Sequence, residues 1–105
     1  MKTEKIISDL IKALVFSGIY KDEEVALRDI IADYIERKIK IYDEIVQNMQ
    51  NKYSNDFQKF TQSLKNKATI ELEEDWMEWK GAIEMKEAWA KALRGVISSA
   101  TEIQD

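Results

Sequence analysis

Apolar positions along this chain recur at spacings of three and four, not two. Over residues 3–17, TEKIISDLIKALVFS, the side chains Ile6, Ile7, Leu10, Ile11, Leu14 and Val15 fall on one side of a helix. Gly18 follows and predicts a C-terminal stop, because glycine adopts the required positive φ at low cost. Phe16, Ile19 and Tyr20 flank that turn and are expected to lock it by packing. The opening KTEKII is short enough to suit a strand as well as a helix.

A second helix is expected from Asp22, a good N-cap with Glu23 and Glu24 in its first turn. Leu27, Ile30, Ile31, Tyr34, Ile35, Ile39, Tyr42, Ile45, Val46 and Met49 keep helical period. Such length without internal caps implies a partner helix along much of it. Lys38 intrudes on the seam, so a regular two-stranded coiled coil is not indicated. Tyr53-Ser54-Asn55-Asp56 is the expected break, with Ser54 or Asn55 capping a short third helix that carries Phe57, Phe60 and Leu64 on one side. Residues 65–71, KNKATIE, read as an extended or β-like connector.

The stretch from Leu72 to Ile97 is the fourth expected helix. Asp75 and Glu78 stand in capping-box relation, and Glu73 and Glu74 add negative charge at the helix start. Trp76, Trp79, Ile83, Ala90, Leu93 and Ile97 form one stripe; Ala82, Met85, Trp89 and Val96 form the next. This band is wider than one neighbour requires. The expectation is that Trp89, Leu93 and Ile97 belong to the fold while the acidic end around Trp76 makes contact with a partner. Gly81, interior to the helix, points to a close approach by something. The tail after Ile97 is expected to fray.

These elements predict an all-α fold, a long helical hairpin or small bundle of about four helices, with a short N-terminal strand as an option. Residues 1–105 form a single domain. Within it, residues 1–53 are a scaffold and dimerisation half, and residues 54–105 hold the short helix, connector and acidic helix. The dimerisation candidates are Leu27, Ile31, Tyr34, Ile35, Tyr42 and Ile45.

Composition narrows the chemistry. There is no proline, cysteine or histidine among the 105 residues. Disulfides, thiolate metal sites and cysteine nucleophiles are thereby excluded, and the commonest acid–base side chain near neutral pH is missing. The carboxylate pairs Glu74–Glu78 and Glu84–Glu87 have no accompanying nucleophile, so helix-start stabilisation and a solvated face explain them better than catalysis or a metal. No enzyme activity and no cofactor are implied. No apolar run reaches membrane-spanning length, and the expected location is the cytoplasm.

Net charge is −4, unfavourable for nucleic acid as a whole. Residues 71–87 concentrate it: Glu71, Glu73, Glu74, Asp75, Glu78, Glu84 and Glu87 stand against Lys80 and Lys86. An acidic, aromatic helix suits a basic cleft on a protein partner. The partner-binding candidates are therefore Glu73, Glu74, Asp75, Trp76, Glu78 and Trp79. Lys2 and Lys5 are the nucleic-acid candidates, a minor expectation that dimerisation would strengthen.

Two segments carry a resemblance. LIKALVFSGIYKDEEVALRDIIADYIE, residues 10–36, resembles the two-helix part of ribbon-helix-helix antitoxins through Ser17-Gly18, Tyr20, Glu24, Arg28, Ile31 and Tyr34. LEEDWMEWKGAIEMKEAWAKAL resembles the acidic, tryptophan-containing C-terminal helix of small prokaryotic antitoxin-like proteins. The position of the DNA-reading ribbon is held by MKTEKIIS, which contains an acid and little alternation. The resemblance implies a non-catalytic protein that neutralises a cognate toxin enzyme through its acidic helix. The rival expectation from the residues is a self-associating structural or adaptor protein with the tryptophan helix folded back as core.

Overall fold

The computed structural model describes residues 3–104, with side chains through residue 99. It contains four helices: α1 (Thr3–Phe16), α2 (Glu23–Tyr53), α3 (Phe57–Lys67) and α4 (Ile70–Gln104). The described residues include no strand, and residues 3–7 form the first turns of α1 rather than a ribbon. The all-α hairpin expected from the periodicity is the fold observed.

Local chemistry explains the boundaries. Gly18 takes φ 84°, and its N–H donates to the Val15 carbonyl at 3.0 Å, closing α1. Asp22 caps α2 by accepting from the Val25 N–H at 2.9 Å. Four expectations about the boundaries are corrected. Asp56, not Ser54 or Asn55, caps α3, accepting from the Lys59 N–H at 2.8 Å. Ser54 instead ends α2 with φ 53°.

The connector shrinks to Ala68 and Thr69. Thr69 caps α4: its Oγ1 accepts from the Leu72 N–H at 3.2 Å and its carbonyl from the Glu73 N–H at 2.9 Å. Asp75 and Glu78 thus lie inside the helix and form no capping box. At the other end α4 continues to Gln104, past the expected fraying point; no proline or glycine after Gly95 interrupts it.

α2 and α4 run antiparallel as the two arms of a hairpin. Lys52 meets Asp75 at 2.6 Å, Asp43 meets Lys86 at 2.7 Å, and Tyr34 meets Trp89 edge-on at 5.8 Å between ring centroids, so partners descend one arm as they ascend the other. α3 closes the turn end. There Val46, Met49, Phe60, Trp79 and Ala82 are buried together, with Tyr42, Ile45, Tyr53, Phe57, Leu64, Leu72 and Trp76 packed around them. α1 packs on the first turns of α2, where Ile11 and Ala26 are buried.

The molecule is long and thin. It measures 60 × 27 × 27 Å with a radius of gyration of 19.8 Å, against about 13 Å for a compact chain of this length. Its exposed surface is 8012 Å² for 12.3 kDa, whereas a compact monomer of that mass exposes about 6,100 Å². Much apolar surface stays outside: Leu10 is 72% exposed, Phe16 85% and Ile19 67%. Phe16 and Ile19 therefore do not lock the α1–α2 turn. The phenol of Tyr20 does so instead, donating to the Asp29 carboxylate, and this bond raises the phenol's pKa above its ordinary value. Among the described residues, no helix is long and apolar enough to cross a membrane.

Candidate protein-interaction surface

The first four turns of α4 divide the acidic segment between inside and outside. Trp79 points inward and is fully buried. It packs on Phe60 at 5.3 Å, Phe57 at 5.4 Å and Tyr53 at 6.2 Å between ring centroids. It is a core residue, which corrects its assignment as a partner contact. The cause is α3, which folds Phe57 and Phe60 over this face of α4 beside Tyr53 of α2. Trp76 lies at the edge of the same cluster, stacked on Phe57 at 5.9 Å, and its indole N–H donates to Thr61 Oγ1 at 2.8 Å. Lys80 Nζ sits 5.5 Å from its ring centroid.

Asp75 also turns inward. Its carboxylate accepts from Lys52 Nζ at 2.6 Å and from the Tyr53 hydroxyl, with the side chain only 15% exposed. The Lys52 bond, then the Tyr53 bond, hold the Asp75 carboxyl below the usual carboxylate range. Burial, then the Asp75 bond, push the Tyr53 phenol up. The bond to Asp75 also raises Lys52. Farther along, Lys86 holds Asp43 below the usual range. Asp75 thus clamps α2 to α4 and is occupied within the chain.

Glu73, Glu74 and Glu78 remain on the outer face, all exposed, around Met77, which is 66% exposed. The six partner-binding candidates thus form no single surface: three acids face solvent, while Asp75, Trp76 and Trp79 face the hairpin.

The lowered carboxyls set a pH dependence. Asp75 and Asp43 titrate below their unfolded values, so their contribution is complete above about pH 4 and is lost as pH falls through the folded values. Lys52 has the opposite sign, losing its contribution only as pH rises above about 10. The melting temperature is expected to hold from neutral pH to about pH 4 and then drop. Asp75→Asn flattens the acid limb in a circular-dichroism pH series. An unchanged limb in that variant counts against the clamp.

The dimerisation candidates also divide. Ile35 is 4% exposed, and Tyr42 and Ile45 pack on the tryptophan core. These three are corrected to intramolecular seam residues, because α4 of the same chain supplies the partner helix that α2 requires. Tyr34 is 54% exposed, with Trp89 on one edge and Lys38 Nζ 5.3 Å from its ring centroid. Leu27 and Ile31 line an open groove of about 440 Å³ between α2 and α4, opposite Ala92, Gly95 and Val96. Ile97, expected in the core, is 57% exposed beside Val25 and Ala32. Lys5 is exposed on α1, and Lys2 lies outside the described residues.

Sequence reasoning missed the bare faces of the helices. Ile11 of α1 is buried and Leu14 and Val15 are half-buried, while Ile6, Ile7 and Leu10 are 57%, 37% and 72% exposed. The signal was present in the width of the apolar arc. Gly81 is a second case: a Cβ there would meet nothing within 4 Å. No close approach within the chain explains that glycine. Among the described residues no group of three or more acidic, histidine or cysteine side chains is placed to hold a metal ion. No family model, curated protein or solved structure matches the chain.

Proposed function

We propose that this chain is a non-catalytic association protein, a helical hairpin that acts as a homo-oligomer through helix faces its own fold leaves bare. The observation that carries the reading is the surface excess. The chain exposes about 1,900 Å² more than a compact protein of its mass, and apolar side chains such as Ile6, Leu10 and Phe16 stand in it. Pairing two hairpins is the common way to cover such faces, giving a helical bundle around a two-fold axis. The tryptophan cluster supports this reading over an interface built on all six acidic-end candidates, because Trp79 is spent on the core.

Association makes stability depend on concentration. The melting temperature is expected to rise by several degrees between low-micromolar and near-millimolar chain. A melting temperature constant over that range contradicts self-association.

One observation favours a second reading. Glu73, Glu74 and Glu78 surround the exposed Met77 on the outer face of α4, a composition that suits the basic cleft of another protein. In this reading the chain is antitoxin-like, and a cytoplasmic toxin enzyme is the partner. Co-expression with the product of a neighbouring open reading frame, using wild type and a variant with those three acids changed to alanine, is the test. Equal binding by both counts against it.

A further inference from the structure

One flank of α4 carries a second helical seam, whose far end, Ala92, Gly95 and Ser99, borders the open groove on α2. Gly81, Met85, Ala88, Ala92, Gly95 and Ser99 follow one another at spacings of four, three, four, three and four. That is the heptad spacing of a helix that meets another helix along its length. Past Gly81 every one of these residues is exposed, and Met85 is 41% exposed. A Cβ added at Gly81 or Gly95 would meet nothing within 4 Å. Both glycines are unfavourable in a helix interior, and packing inside the chain requires neither.

The spacing says only that a helix fits; the flanking charges say which helix. Glu84 and Lys91 sit seven residues apart on one flank of this seam, with opposite signs. Glu84 is 66% exposed and only loosely paired with Lys80 at 3.9 Å, and Lys91 has no ion-pair partner among the described residues. Two antiparallel copies crossing beside Ala88 bring each Glu84 to the other copy's Lys91. The same register sets Gly81 against Gly95 of the second copy and Met85 against its Ala92, large against small. A parallel in-register pairing leaves each Glu84 level with the other copy's Glu84 and out of reach of its Lys91, seven residues along.

We propose that a second copy of this chain docks antiparallel along this face of α4, with the two-fold axis at Ala88. The inference rests on the self-association reading and gives it one contact; the bare α1 side chains Ile6, Leu10 and Phe16 lie outside this seam. The area agrees: a stable dimer buries about 800 Å² per partner, well within the surface excess of each chain.

Light scattering on wild type, Glu84→Lys, Lys91→Glu, the double exchange and Gly81→Leu tests the register. Each single charge change creates two like-charge contacts and is expected to weaken the dimer about tenfold. The double exchange restores it. Gly81→Leu has room within its own chain and is expected to give a folded monomer, checked by circular dichroism. Wild type that is monomeric throughout overturns the register together with the self-association reading. A wild-type dimer that neither single charge change nor Gly81→Leu weakens overturns the register alone and moves the contact elsewhere, to the bare face of α1 first.

Discussion

Changing Trp79 to alanine is expected to cost about 3–5 kcal/mol in urea unfolding. Native domains hold about 5–15 kcal/mol in all, so this variant stands at the edge of unfolding. The reason is position: Trp79 is fully enclosed by three aromatic rings contributed by α2 and α3. Removing it leaves a cavity that three helices cannot collapse around without giving up their register. Trp79→Phe is expected to cost much less, under about 2 kcal/mol. The buried indole N–H of Trp79 has no hydrogen-bond partner, so phenylalanine removes an unsatisfied donor while keeping most of the ring. Stability unchanged in Trp79→Ala, with association lost, would return Trp79 to the interface.

Ile35→Ala is expected to destabilise the chain by about 2–5 kcal/mol, even at concentrations where it is monomeric. Ile35 is 4% exposed in the single chain, so the loss belongs to folding and not to dimer formation. Tyr34→Ala, next in sequence but 54% exposed, is expected to cost clearly less. Urea unfolding of dilute protein separates the two. A monomer stability untouched by Ile35→Ala would mean that the α2 seam is covered by another chain.

The difference between Ile35 and Tyr34 marks where sequence reading stops. Periodicity shows that α2 has a broad apolar side; it does not say whether the covering helix belongs to the same chain. α4 decides that: Lys52–Asp75, Asp43–Lys86 and Tyr34–Trp89 pair it antiparallel with α2. The caps at Asp22 and Gly18 were legible, since one residue and its immediate neighbours determine them. Thr69 was not, because the stronger-looking Asp75–Glu78 pair lay six residues downstream. Asp75 is a good capping residue by type, yet Lys52 and Tyr53 both bind its Oδ2 from a segment more than twenty residues away. Concentrated acid on α4 was legible as charge; that Glu73, Glu74 and Glu78 face out while Asp75 faces in depends on the helix phase fixed by Trp79.

The bare faces were visible in the sequence only as excess width. Ile6 and Leu10 share α1 with Ile11, and the apolar arc cannot say which part the neighbour covers. Likewise, Gly81 and Gly95 gain meaning only once the structure leaves open space beside them.

Sedimentation equilibrium of the wild-type chain tests association most directly. The account predicts a mass that rises toward twice 12.3 kDa as the concentration is raised. A mass that stays at 12.3 kDa at every concentration contradicts it.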